Sequence, residues 1–385
     1  MIWNTIWNKL TKSRRKQTQD TDTKEPEAEE PEFQWLEAAN NPWGVPVLDV
    51  RPITLGTLST SSNPECASNA ISFGQDDGIG FLGDEPPVNR IVKTCLRFRR
   101  DRLLAEGGLF IPSEMEHKWA LYFHQRQILC IRSWLRKVNA IAEVEQADDY
   151  VEITSIRGSF SDEDEKPEFT VRVLDYLLRS HALGLVFPAP LPEGLEKEPR
   201  TAALWCMSNF GKFAWFATPE ELKIEAPEQP LRSQSLLHIS VARGDIEATD
   251  KYLDSGMPID LLASDGLAPM HWALAQDNTT MLRHLIERGS AVDIRSADGA
   301  TPLMNAVQNE SVEQVNFLLD QGSDSNAVDA RGFTALHRAA EMGKIELVKI
   351  LLARGASPKR EAQGYTPRSL AEKRGERAIV ELLDG

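Results

Sequence analysis

At 385 residues, with 41% hydrophobic and 26% charged residues, the chain has room for two or more globular domains. Its net charge of −15 argues against a general nucleic-acid binder, and no apolar run is long enough to span a membrane. Four cysteines (Cys66, Cys95, Cys130, Cys206), far apart and without a C-x-x-C pair, point to a reducing compartment and to neither a zinc site nor a disulfide framework.

Residues 1–16 place Ile2, Trp3, Ile6, Trp7 and Leu10 at helical spacing, followed by Lys12, Arg14, Arg15 and Lys16. The charges follow the apolar part, which is not the order of a secretory signal. Such a segment is expected to be an amphipathic helix. Its Trp3, Ile6, Trp7 and Leu10 would rest weakly on an anionic membrane surface. The competing reading packs that face on the protein's own core or leaves it disordered. Residues 17–32 are acidic, contain proline and hold almost no apolar residues, the composition of a disordered tether.

Residues 33–228 turn globular and read as an α+β domain of unknown function. Trp35 and the run from Asn41 to Asp49 suggest an irregular entry packed by aromatics, and Ser59 to Asn69 reads as loop. Trp119–His124, Ile128–Leu135, Val138–Val144 and Tyr150–Ile156 are apolar or alternating runs with short joins, which predicts an antiparallel β-meander. Pro167 opens a helix with Val171, Leu174, Leu177, Leu178 and His181 along its buried stripe. Thr201–Asn209 reads as helix and Lys212–Ala217 as a short extended stretch.

Several motifs in this domain can be weighed chemically. Gly78, Gly80 and Gly83 satisfy G-x-G-x-x-G, but Asp84-Glu85-Pro86-Pro87 follows, so no helix leaves the motif to aim amides at a pyrophosphate. A loop is the better reading, and no cofactor is expected. Asp76, Asp77, Asp84 and Glu85 could chelate a hard cation, yet their spacing matches no EF-hand loop; no metal is expected. His117, His124 and His181 show no nucleophile or orienting partner, and no catalytic residue is assigned. Arg90, Lys93, Arg97, Arg99, Arg100 and Arg102 form one basic cluster. It is either an anion-binding patch or a solvated face balanced by the acidic run 161–165.

From residue 233 onward one phrase returns. Gly266-Leu-Ala-Pro-Met-His271, Gly299-Ala-Thr-Pro-Leu-Met304, Gly332-Phe-Thr-Ala-Leu-His337 and Gly364-Tyr-Thr-Pro-Arg-Ser369 recur at 33, 33 and 32 residues. Gly256, Gly289, Gly322 and Gly355 keep the same register, each after an apolar pair. Thr301-Pro302 and Thr366-Pro367 read as helix starts, and the second glycine series as left-handed helix C-caps. Ser235-Leu-Leu-His238 sits 33 residues before Ala268-Pro-Met-His271 and marks a degenerate first unit.

A period of 33 with a T-P-L-H-like core resembles ankyrin repeats over residues 233–385, about five in all with the first and last degenerate. The resemblance implies an all-α solenoid whose concave face binds protein. It also implies that His271 and His337 bond backbone within the helix-turn-helix, and that Met304 leaves the third repeat looser. The fold expected is therefore multidomain: an α+β domain with an antiparallel meander, then the helical array.

The positions after the helix histidine and one turn on give the partner-binding candidates Ile239, Trp272, Asn305, Gln308, Arg338 and Glu341, with Arg331 at a hairpin tip. Leu370 and Lys373 hold the matching places in the last repeat. Trp272 and Arg338 are the expected anchors, because Trp and Arg most often dominate interface energies. For Trp272 the other reading is that it covers core between helices. Residues 233–385 carry 16 basic and 22 acidic residues, so a partner with basic surface is expected.

The function expected is a non-catalytic, cytoplasmic adaptor, peripheral on the inner face of a membrane. The repeats would select a protein partner, and the α+β domain would dock on the first repeat. The alternative is an enzyme acting in residues 33–228 on substrate that the repeats recruit. Convergent polar groups around His117, His124 or the 74–85 loop would favour it.

Overall fold

The computed structural model describes residues 33–54, 61, 63–211, 215–217 and 225–384. The amphipathic segment 1–16 with Trp3, Ile6, Trp7 and Leu10, the acidic tether 17–32, and residues 212–214 of the short extended stretch lie outside them. Residues 34–385 form one compact unit.

Two short strands, β1 (Gln34–Leu36) and β2 (Val47–Asp49), enter first, then α1 (Arg51–Thr54) and α2 (Pro64–Ile71). The α2 helix corrects the reading of 59–69 as loop. Asn63 accepts the Glu65 amide at 3.0 Å and Pro64 occupies the first turn, so this polar stretch carries a helix start.

The large sheet follows: β3 (Ile91–Arg99), β4 (Gly107–Phe110), β5 (Trp119–His124), β6 (Gln127–Arg132), β7 (Lys137–Gln146) and β8 (Tyr150–Gly158). Strands β5 to β8 form the predicted antiparallel meander. Beyond β8 lies β3, paired from Ile91 opposite Arg157 to Arg99 opposite Tyr150. The basic cluster is thus largely a strand. Val92, Leu96 and Phe98 point inward, while Lys93, Arg97 and Arg99 stand outside.

Its charges are mostly spent locally. Arg90 bonds Thr170 at 2.9 Å beside buried Glu165, Arg97 pairs with Glu152 at 3.3 Å, and Arg100 donates to the Ala147 carbonyl at 2.5 Å. Glu165 itself accepts the Ser161 amide at 2.8 Å and the Thr170 hydroxyl at 2.7 Å.

Helix α3 (Pro167–Leu177) starts at the predicted proline and runs through a π-turn at 178–182. Strand β9 (Ala189–Pro190), helix α4 (Pro199–Asn209) and strand β10 (Trp215–Ala217) complete the domain. A second sheet has the order β1-β2-β10-β9, with β9 and β10 parallel and the other pairs antiparallel. All of β5 is buried, because both faces of the large sheet are covered. On one side Phe73 and Phe81 pack on Tyr122 and Leu129.

Gly78, the first glycine of the G-x-G-x-x-G, has φ +81°, and a Cβ there would strike the Tyr122 ring. The motif is a packing turn, followed by a 3₁₀ turn at 79–81.

Strand β11 (Gln234–Ser235) then adds to β4, giving the order β11-β4-β5-β6-β7-β8-β3. Five helix pairs follow among the described residues: α5 (Leu236–Arg243) and α6 (Ile246–Asp254), α7 (Pro269–Trp272) and α8 (Thr280–Glu287), α9 (Pro302–Gln308) and α10 (Val312–Asp320), α11 (Ala335–Glu341) and α12 (Ile345–Ala353), α13 (Pro367–Arg374) and α14 (Arg377–Asp384). The caps fall where the sequence puts them. The Ser235, Thr301, Thr334 and Thr366 hydroxyls accept amides three residues on. Gly256, Gly289, Gly322 and Gly355 are left-handed just past the second helices. One core runs through all five pairs, from Leu237 through Leu282, Leu303, Leu318 and Leu351 to Ile379. No helix among the described residues is long and apolar enough to cross a membrane.

Candidate protein interface

The hairpins that rim the array are hung from histidines. Each sits three residues after a helix cap, so its Nδ1 faces that cap: the Ser235 hydroxyl lies 2.8 Å from His238, the Ala268 amide donates to His271 at 3.3 Å, and the Thr334 amide to His337 at 3.2 Å. The opposite nitrogen reaches the next unit. Nε2–H donates to the Leu267, Ala300 and Tyr365 carbonyls at 3.2, 3.1 and 3.3 Å respectively. A carbonyl can only accept and a backbone amide can only donate, so His271 and His337 are the neutral Nε2–H tautomer, and His238 takes the same form with the Ser235 hydroxyl as donor. These histidines therefore link adjacent repeats as well as closing their own turn.

Burial pushes the His238 imidazole down to about 4, against the bonds from backbone that favour the cation. His271 and His337 are lowered for the same reason. Met304 takes the histidine's place in the third unit. It is 1% exposed and packs in the core, so the gap is filled by volume, while Arg295 ties that unit to the next through the Val328 carbonyl at 2.7 Å.

The second unit departs from its neighbours. Its α7 is one turn long and tightens into a 3₁₀ turn at Ala273–Ala275. The carbonyls released there are met by Gln314, whose amide donates to Gln276 at 2.6 Å and Leu274 at 3.4 Å.

Two grooves lie along the first helices. Trp272, Asp265, Asn305 and Gln308 line one, and Arg331, Arg338, Glu341, Tyr365 and Lys373 line the other. Trp272 stands edge-on to His238 at 5.4 Å, and its indole N–H donates to Asp265 at 3.0 Å. It therefore lines a groove and also covers core. Arg338 joins the two grooves, donating to Gln308 at 3.1 Å and to Asp329 at 3.3 Å.

Asp329 is buried beneath Arg331 and Arg338. Burial alone would raise its carboxyl. The Phe333 and Arg331 amides together with both guanidiniums outweigh that and hold it below the ordinary aspartate value.

Of the sequence candidates, Trp272, Asn305 and Gln308 come together, as do Arg331, Arg338 and Glu341. Ile239 does not join them. It is 6% exposed, and the α5 helix that carries it packs on β4. Sequence reasoning missed Phe333 and Tyr365, which line the second groove. Their signal was present, since both follow the hairpin glycine.

Many polar groups of the α+β domain are engaged within the fold, whereas the buried His124 Nδ1 and Tyr122 hydroxyl take no hydrogen bond among the described residues. His124 is buried, donating to the Asp77 carbonyl at 2.7 Å. His117 accepts the Ser113 amide at 3.2 Å and lies edge-on to Phe110. His181 is buried against Phe110 and bonds Ser180 at 2.7 Å; burial, with a smaller push from His117, takes it down to about 3. Asp76 pairs with Arg136 and accepts the Gly78 amide, Asp77 faces Arg243 at 3.7 Å, and Glu85 pairs with Arg157.

A family model described as ankyrin repeats (3 copies) matches residues 237–329 and 315–384. No curated protein matches the chain. With the recurring phrase, the capped helix pairs and the histidine links, that match establishes residues 237–384 as ankyrin repeats, a protein–protein interaction module.

Proposed function

We propose that this protein is a non-catalytic adaptor that binds a protein partner along the concave face of a solenoid formed by its repeats. The observation that carries it is the pair of grooves running from Trp272 to Lys373 along the first helices. The α+β domain adds a second surface, held to the first repeat through β11. Catalysis would draw on His117, His124 or the 74–85 loop, where Ser72, Asp76, Asp77 and Arg243 line an open cleft of about 410 Å³. Its carboxylates face Arg136 and Arg243 and its hydroxyl, on Ser72, donates to the Asn69 carbonyl, which supports binding over turnover.

The test is affinity purification of the full chain from its native host, comparing wild type with Gln308→Glu/Lys373→Glu. Both side chains are exposed, so melting should stay unchanged. Selective loss of one partner is expected; an unchanged partner set would place recognition elsewhere.

Residues 1–16 would add weak peripheral contact with the cytoplasmic face of a membrane, a placement in keeping with four free cysteines. Pelleting with anionic vesicles should be lost in Trp3→Ser/Trp7→Ser. Equal pelleting by that variant removes the membrane reading.

A further inference from the structure

Charge along the array is polarised. Residues 233–330 hold 5 basic and 15 acidic side chains, whereas residues 331–385 hold 11 basic and 7 acidic. The overall acidic balance, which suggests a basic partner, therefore describes only the first part. The second groove lies in the cationic part and encloses about 460 Å³.

Four cations line that groove: Arg331, Arg338, Lys373 and Arg374. They meet two carboxylates, Asp329 beneath the first pair and Glu341, which takes Arg374 at 3.1 Å. Lys373 has no carboxylate partner among the described residues; it rests over the Tyr365 ring at 5.1 Å. Arg331 rests over Phe333 at 5.2 Å, with 62% of its side chain exposed. A cation on an aromatic face keeps donors to give, and the ring beneath supplies apolar contact. Tyr365 is 38% exposed.

We infer that this second groove takes an extended acidic segment of a partner protein, with an apolar side chain seated on Tyr365 between carboxylates that meet Lys373, Arg374 and Arg331. The inference rests on the groove reading above and names the chemistry of its ligand.

The test uses the full chain and fluorescein-labelled peptides alternating Glu with Leu, Gln with Leu, and Lys with Leu, read by fluorescence anisotropy. The Glu peptide should bind roughly tenfold tighter than the Gln peptide, the scale of two partly exposed ion pairs. That preference should vanish in about 1 M NaCl, where the screening length is ~3 Å. Lys373→Glu/Arg374→Glu, with unchanged melting, should abolish it or transfer it to the Lys peptide.

Equal binding of the Glu and Gln peptides overturns the inference, as does a Glu preference that survives the double reversal. Tighter binding of a single-stranded oligonucleotide than of the Glu peptide also overturns it, in favour of a phosphate ligand. If Gln308→Glu/Lys373→Glu still loses a partner while no Glu preference appears, the groove stands and only its acidic ligand falls.

Discussion

Lowering the pH from 7 to 5 will destabilise the protein by about 4 kcal/mol, roughly half of it from His238 and half from His181. An unfolded imidazole titrates near 6.5, whereas burial holds His238 at about 4 and His181 at about 3. Between those values the unfolded chain binds protons that the folded one refuses. The stability from these rings is therefore complete above pH ~6.5 and is lost as pH falls, toward about 4 for His238 and about 3 for His181. His271 and His337 act in the same direction.

The carboxylates held below their ordinary range, such as Asp298 and Asp329, lose their contribution only below pH ~4. Between pH 7 and 5 the loss therefore comes from the imidazoles, and the carboxylates add to it only at lower pH. Urea denaturation at pH 7, 6 and 5 would show it, and His238→Gln should remove about half of the loss, since Gln can still donate an amide N–H but does not titrate. Equal midpoints at pH 7 and pH 5 would sink the argument. The consequence reaches the grooves, because protonating His271 or His337 breaks the bond that Nδ1 accepts from a backbone amide, on the very turns that carry the groove rims.

What the sequence disclosed follows from where its information is periodic. The array was legible because each unit repeats the cap, the histidine and the C-terminal glycine at one spacing, so the signals reinforce one another. Strands β5 to β8 were legible because apolar runs with short joins can pair only with their neighbours.

Three elements were hidden for physical reasons. Strand β3 alternates apolar and charged residues, but its charges invite a reading as a patch before a reading as a pleat. Helix α2 is polar and short, and its start is marked only by the Asn63 cap and Pro64 in the first turn. The second sheet joins strands of two or three residues from positions as distant as Gln34 and Ala217, and so short a strand has no period.

The lining of the two grooves was half legible. Repeat register located Trp272, Asn305, Gln308, Arg338 and Glu341. It could not show that Arg338 is already committed to Asp329 and Gln308, nor that Ile239 is buried, because both depend on contacts between elements far apart in the chain.

Gly107→Val will cost about 3 kcal/mol and loosen the array from the sheet, although the position lies over 120 residues before Leu237, the first core residue of the repeats. Gly107 has φ +142°, a conformation that side chains with a Cβ rarely adopt. It pairs with Ser235 where β11 joins β4, and a Cβ there would strike the Gln234 carbonyl oxygen. The substitution therefore adds backbone strain and also pushes β11 off the sheet.

More than the strand depends on that seam. The Leu236 amide donates to the Glu106 carbonyl at 2.9 Å, the Ser233 hydroxyl to the Ala105 carbonyl at 2.6 Å, and Arg102 pairs with Asp260 at 3.3 Å. Leu236 opens α5, so displacing β11 removes the anchor of the first helix pair, and a terminal unit that loses its neighbour frays first.

Two measurements separate this from general misfolding. Urea unfolding should change from one transition to two, with the repeats melting first, and limited proteolysis should cut between residues 225 and 235 well before wild type is cut. Ala at the same position should give a smaller effect in the same direction, because its single methyl keeps the clash but not the added bulk of Val. If Gly107→Val unfolds in a single transition with an unchanged midpoint, the sheet and the repeats are independent, and β11 is a passive linker.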